Sequence, residues 1–405
     1  MAPPTGPLAG IRVVDVTAVI LGPYCTQILG DMGAEVIKVE PPEGDIMRHT
    51  APNRSPGMGA AFLNLNRNKR SLALDLKQAP ARAALQRLVA EADVYVHSMR
   101  PQAAERLGMG SAALRAANKR LIYCAAYGFR AGGLYSGLPA FDDTIQAACG
   151  LAALQGQGGA PDYVRTVIAD KTTGLMLAGA IAMALYARER TGEGQSVEVP
   201  MFETMVSFVM AEHLAGRSFE PPLGGAGYPR VLAQDRRPFR TKDGFIGILP
   251  YTTEQWRRFL DLAGRPELKD DARFADPAAR SRHPGFLYET VAEILTARTT
   301  ADWLDALTRA DIPAMPVNTP DALLDDPHLA AEDFFPRIEH PSEGVLRMVD
   351  IPVRFDGTPG AIRRHAPRLG EHSRAILGEL GYGAADIDAL VASGATKEAA
   401  EVATA

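Results

Sequence analysis

Between Ile11 and Pro200 short apolar runs alternate with segments of helical period, and that alternation leaves few folds open. IRVVDVT (Ile11–Thr17), AEVIKVE (Ala34–Glu40), SLALDL (Ser71–Leu76), DVYVHS (Asp93–Ser98), LIYCAAYG (Leu121–Gly128) and QSVEVP (Gln195–Pro200) read as strands. They are compact and apolar, as strands covered on both faces are. Helical patterns separate them. One opens at Pro23 and stops at Gly33; others cover Ala79–Ala92, Asp142–Gly150 and Lys171–Arg190, and Met201–Ala215 follows the last strand. Strands joined through helices run parallel, so the expected fold class is α/β with a doubly wound sheet.

The alternation stops near Gly216. Glu220–Pro229 is rich in Gly and Pro and reads as a linker. PFRTKDGFIGIL (Pro238–Leu249) then predicts a hairpin turning at Lys242-Asp243-Gly244. Helices are expected around Thr253–Leu262, Leu287–Ala297 and Thr300–Ala310, and a strand at Ala314–Asn318. The division expected is a large domain beginning with residues 1–220, a smaller α+β domain at 225–325, and a linker with a C-terminal return at 326–405. The last part is loop-rich from Pro327 to Pro367, with a hairpin around Ile338–Ile351 and helices at His372–Leu380 and Ala384–Ala392. The closing KEAAEVATA has no core face and is expected to fray.

Composition removes several function classes. With 43 basic and 48 acidic residues the net charge is −5, which gives no general case for nucleic acid or an anionic membrane as partner and leaves only a local basic patch open. Cys25, Cys124 and Cys149 are too few and too scattered for a disulfide framework or a thiolate zinc site. The eight histidines lack ligand spacing, so no metal is expected. The opening MAPPTGPLAG lacks the features of a signal peptide. The longest apolar run, Gly174–Ala187, falls short of the roughly 20 residues a membrane span needs. Cytoplasmic localisation is the expectation. No phosphate loop, H-E-x-x-H or G-x-S-x-G is present, and the first strand–helix turn, TAVILGPY, lacks the dinucleotide glycines.

Four features could carry chemistry. Cys25 lies near a helix start, where a thiol can be activated, but reads more simply as a small buried residue. His97 sits at a strand end, where α/β sites form. Asp170 opens a long apolar helix with Gly174, Ala178 and Ala182 spaced for one face. It suits an N-cap, or a nucleophile kept ionised by the helix terminus. Lys38, Arg48, Arg67, Lys69, Arg70, Lys77, Arg100 and Arg106 crowd the first hundred or so residues. They suit phosphate binding, a solvated face, or pairing with Glu40, Glu43 and Asp45.

Several ordered blocks together resemble the class III CoA-transferases, the group of formyl-CoA, carnitine and bile-acid-inducible CoA-transferases. They are PLAGIRVVDVTAVILGPYCTQILGDMGAEVIKVEPPEGD, NRNKRSLALDLK, ADVYVHSMRPQAAERLGMG, RTVIADKTTG with RERTGEGQSVEV, and PFRTKDGFIGI. The resemblance runs over most of residues 7–380. It implies a Rossmann-like large domain built from both chain ends, a smaller domain between them, and an interlocked homodimer. It implies Asp170 as nucleophile, forming aspartyl anhydride and aspartyl-CoA thioester intermediates. The implied CoA site comprises Val19, Ile20 and Leu21; Leu74, Asp75, Leu76 and Lys77; Ser98, Met99 and Arg100; and Arg106. Coenzyme A is then handled as a thioester, with an acyl-CoA donor and a carboxylic acid acceptor as partners.

Two departures from the family pattern stand out. ILPYTTEQW (Ile248–Trp256) stands where formyl-CoA transferase has a glycine-rich loop, and Tyr251 is expected to fill that space. Pro41 and Pro139 stand where some relatives carry basic residues. The related 2-methylacyl-CoA racemases need a histidine in a Gly-His-Asp segment. The segment here is PAFDDTIQ, so Phe141 takes the histidine's place and cannot move a proton. Transferase is the expectation, with racemase or non-catalytic CoA binding as alternatives.

Overall fold

The computed structural model describes residues 5–156 and 158–399. Among these residues twelve strands form in chain order: β1 (Arg12–Val16), β2 (Glu35–Glu40), β3 (Lys69–Leu74), β4 (Val94–His97), β5 (Ile122–Ala125), β6 (Ser196–Glu198), β7 (Phe239–Arg240), β8 (Phe245–Ile248), β9 (Ala314–Pro316), β10 (Arg337–His340), β11 (Gly344–Arg347) and β12 (Thr396–Lys397). Seven build the main sheet in the order β12-β3-β2-β1-β4-β5-β6. Every pairing in it is parallel except that of β12 with β3. The mixed α/β class expected from the alternation is therefore what forms.

The described residues fall into two compact units. One comprises those within Met1–Ala152, Tyr163–Phe208 and Ala330–Ala405 and holds the main sheet; the other comprises those within Ala153–Asp162 and Val209–Leu329. In the first, Val14, Ile37, Leu72 and Tyr95 pack with Leu85 and Leu88 of the helix Ala79–Ala90 and with Ile376 and Leu390 near the C-terminus. In the second, β7, β8 and β9 form an antiparallel sheet over Trp256, Phe259 and Trp303. Thr252 caps the helix Thr253–Leu262 by accepting from the Gln255 amide at 3.1 Å.

Three local expectations need correction. β3 begins at Lys69 rather than Ser71, because Lys69 is neutralised by the buried Asp15 and Arg70 by the partly exposed Glu35 and Glu379, so both can occupy a buried strand. Lys397 does not fray: it pairs with Ala73 beside Thr396, whose hydroxyl donates to the Ala73 carbonyl at 2.6 Å. An edge strand of this kind is held by backbone bonds and needs no apolar pattern. Residues 400–405 of the same tail lie outside the described residues. Third, Ala182 is exposed. The buried face runs through Gly174, Leu177, Ala178, Ile181 and Leu185 and leaves Ala182 outside it.

The helix Ile168–Thr191 has 24 residues and exceeds the run read from the sequence; by length and composition alone it could cross a membrane. Its buried side meets the helix Leu21–Asp31. A Cβ on Gly174 would stand 2.7 Å from the Leu21 carbonyl oxygen, so glycine sets how closely these two helices approach.

Candidate active site

Because β1, β3, β4 and β5 are parallel, the segments that follow them emerge at one edge of the sheet, the edge where α/β folds bind ligands. After β1 the chain turns sharply. The Asp15 carboxylate accepts from the Thr17 amide at 2.9 Å, and a Cβ on Gly22 would fall 2.2 Å from the Thr17 side chain. Val19 has φ +69°, a left-handed conformation that strains a β-branched residue. Its amide donates to Asp45 at 3.1 Å. Lys38, fully buried, ties the arrangement together by donating to Asp45 at 3.0 Å and to the Thr17 carbonyl at 2.9 Å.

At that edge lies a cavity of about 230 Å3. Of the catalytic and CoA-site residues that the resemblance implies, Val19, Leu21, Ser98, Arg100 and Asp170 line it, joined by Tyr127, Phe129, Pro139, Phe141 and Met201. Ile20, Leu74, Asp75, Leu76, Lys77, Met99 and Arg106 do not line it. Ile20 precedes the helix Leu21–Asp31, and Leu74 is buried at the end of β3. Asp75 accepts from the Lys77 amide at 3.1 Å, and Leu76 and Met99 pack on the sheet core. Lys77 and Arg106 are exposed, and neither they nor Arg100 forms a salt bridge among the described residues.

Asp170 is not the N-cap. Val167 takes that position and Asp170 falls in the first turn, as its third residue. Asp142 does the capping: its Oδ2 accepts from the Asp170 amide at 3.0 Å. Asp142 is 5% exposed and also accepts from Gln146 Nε2 at 2.6 Å, while Gln146 Oε1 accepts from the Val164 amide at 2.9 Å. Among the described residues nothing donates to the Asp170 carboxylate. Burial, with the Asp142 charge adding to it, pushes its pKa up to about 7. This corrects the expectation of a low pKa at the helix terminus: burial and a neighbouring anion outweigh the helix dipole. The first-turn amide is also taken by Asp142, so it is not free to stabilise an oxyanion.

The basic cluster is mostly internal. Lys38 pairs with Asp45, Arg48 with Glu40, Arg67 with Asp31, Lys69 with Asp15, and Arg70 with Glu35 and Glu379. Only Lys77, Arg100 and Arg106 of the original group keep the character of phosphate ligands. Cys25 is fully buried and its thiol is raised well above the ordinary range by burial, so it is a packing residue. His97 is 1% exposed, lies against Tyr95 and Tyr123, and is pushed down to about 4 by burial. It is a neutral core residue. Asp142 and Gln146 are the site residues that sequence reasoning passed over. Two consecutive acids after Phe141 were the available signal.

Comparison with known proteins decides the family. Residues 8–373 match the family described as CoA-transferase family III. The chain belongs to that family. A succinyl-CoA:mesaconate CoA-transferase of Haloarcula marismortui is 34% identical over 390 residues, covering 93% of this chain and 97% of the relative. A succinate–glutarate CoA-transferase of Agrobacterium fabrum is 31% identical over 387 residues, covering 92% and 96%. Among solved structures, that of Rv3272 from Mycobacterium tuberculosis superposes with a TM-score of 0.80 at 30% identity, covering 92% of this chain and 99% of the other. This family III CoA-transferase is thus an enzyme whose substrates are a CoA thioester and a carboxylic acid.

Proposed function

We propose that this CoA-transferase works through covalent catalysis at Asp170, with succinyl-CoA as donor. The observation that carries the proposal is a half-buried carboxylate that no group among the described residues hydrogen-bonds, opening on a cavity at the carboxyl edge of the sheet. Its lone pairs are uncommitted and its environment disfavours the charge, which makes the anion reactive. An Asp170 oxygen attacks the donor thioester carbonyl; the C–S bond breaks, leaving an acyl–aspartyl anhydride and CoA thiolate. The thiolate attacks the aspartyl carbonyl, expels the donor acid as carboxylate, and forms an aspartyl-CoA thioester. The acceptor carboxylate attacks that thioester and releases the thiolate again. Attack of the thiolate on the acceptor's carbonyl in the new anhydride forms the product acyl-CoA and regenerates Asp170. Ser98 and Arg100 line the cavity and are proposed to hold the CoA; Lys77 and Arg106, exposed and without salt bridges, are proposed phosphate contacts. The names borne by the relatives support succinyl-CoA as donor. The direct test is succinyl-CoA with a panel of carboxylic acids, read by mass spectrometry. New CoA thioesters are expected; hydrolysis alone would overturn the proposal.

Phe141 lines the same cavity and is 65% exposed, leaving no proton acceptor at that position for racemisation. We further propose a cytoplasmic homodimer. The three free, buried cysteines suit a reducing compartment. Leu175, Met176, Met183 and Tyr186, all more than half exposed on the helix Ile168–Thr191, suit a subunit interface. Tagged and untagged protein, mixed after purification, should not form heterodimers if the subunits interlock; rapid exchange would exclude interlocking.

Acidity gives a second test. Since Asp170 must be ionised to attack and its pKa is raised to about 7, kcat/KM for the donor should climb with pH through that value and level off above it. Asp142→Asn keeps an oxygen for the Asp170 amide but removes the neighbouring charge. Its rising limb should therefore move to lower pH. A limb at the same pH in both proteins would show that another group sets it.

A further inference from the structure

The second unit contains a cavity of about 330 Å3 to which the transferase mechanism assigns no role. Tyr228, Tyr251, Tyr288 and Trp256 wall it, and Arg230 and Arg280 face it; among the described residues no acidic side chain lines it. Arg280 is only 7% exposed. Its guanidinium donates to the Phe274 carbonyl at 2.9 Å and to Thr253 Oγ1 at 3.2 Å, with the Tyr251 carbonyl at 3.5 Å. Asp276 is near enough to act on its charge, but that carboxylate caps a helix by accepting from the Ala279 amide at 2.7 Å. Arg230 lies 5.7 Å from the centre of the Tyr251 ring and beside the hydroxyls of Tyr228 and Tyr288. Among the described residues neither arginine forms a salt bridge.

A guanidinium held at an aromatic surface without a salt bridge has lost part of its hydration and gained at most the longer-range field of a carboxylate such as Asp276. Two of them on one acid-free cavity set up a local positive field in a chain whose net charge is −5. A carboxylate matches the guanidinium fork and recovers that loss through charge-assisted hydrogen bonds. The tyrosine and tryptophan walls suit a flat or branched apolar body. We propose that this pocket binds a small organic carboxylate with an aromatic or branched apolar body, anchored by Arg230 and Arg280. The volume is at the small end of ligand sites, which favours an acid of one ring or a short branched chain.

The proposal does not rest on the transferase reading, and its test uses no CoA. Benzoate is titrated calorimetrically into the full chain, with benzamide as its neutral counterpart. Benzoate should saturate a site in the millimolar range or tighter, and benzamide should bind about tenfold more weakly or worse, because it forfeits the charged hydrogen bonds. Arg230→Met should weaken benzoate by a similar factor with an unchanged melting temperature. Arg280 also anchors backbone carbonyls, so the second variant is Ser281→Phe, an exposed position on the cavity wall whose ring would fill the space. It should abolish benzoate binding. Asp170→Asn should bind benzoate like the wild type, even if it has lost transfer. No saturable binding, equal affinity for acid and amide, benzoate affinity unchanged in both cavity variants, or its loss in Asp170→Asn would each overturn the proposal.

Discussion

Asp170→Asn should abolish CoA transfer, lowering the rate by at least about a thousandfold, while folding and CoA binding persist. The amide cannot form the anhydride. The structural cost of the change is small, because the helix is capped by Asp142 acting on the Asp170 backbone, and among the described residues no donor engages the Asp170 side chain. The sign of the stability effect discriminates further. Burial and Asp142 raise the folded-state pKa to about 7, so the ionised form is disfavoured in the folded protein. That penalty is absent below the unfolded pKa of about 4 and grows until the pH passes the folded value. Asn escapes it. Melting temperature should therefore be equal in the two proteins in acid and higher in the variant at pH about 8. Near-normal transfer by the variant, after deamidation to Asp has been excluded, would assign Asp170 a purely structural role.

Strand–helix alternation was legible because it is local: the apolar runs from Ile11 to Pro200 carry their own period, and the parallel sheet follows. The state of Asp170 was not. Its partner Asp142 lies 28 positions earlier on another helix, and only the packing of the two helix starts brings the charges together. Spacing along one chain segment cannot show that. Nor could it show that Arg67, Lys69 and Arg70 of NRNKRS are ion-pair members rather than surface cations, since the deciding carboxylates, Asp15, Asp31, Glu35 and Glu379, come from other elements. The left-handed Val19 was likewise hidden: no glycine marks it, and what holds it is Asp45, 26 positions away.

That buried charge carries the other large expected effect. Lys69→Met should destabilise the fold by about 3–5 kcal/mol, the usual cost of breaking a buried pair by removing one partner. Lys69 is wholly buried and donates to Asp15 at 3.1 Å, to the Pro23 carbonyl at 3.0 Å and to Asn66 Oδ1 at 2.9 Å. It therefore joins β1, the helix Leu21–Asp31 and the segment before β3 at one point. Burial opposes the charge on Asp15, but Lys69, Lys38 and the hydroxyls of Thr17 and Thr26 outweigh it and hold the carboxyl down at about 2. Methionine fills similar volume and withdraws the largest of those supports. Asp15 would then be an anion with one lysine fewer, beneath the turn that carries Val19 and Leu21 into the cavity. Urea unfolding of Lys69→Met against wild type at neutral pH measures the loss. The double variant Lys69→Met/Asp15→Asn should recover part of it, because it removes the stranded charge. A loss below about 1 kcal/mol would place this pair with solvent-screened surface bridges and take away its role in holding the turn.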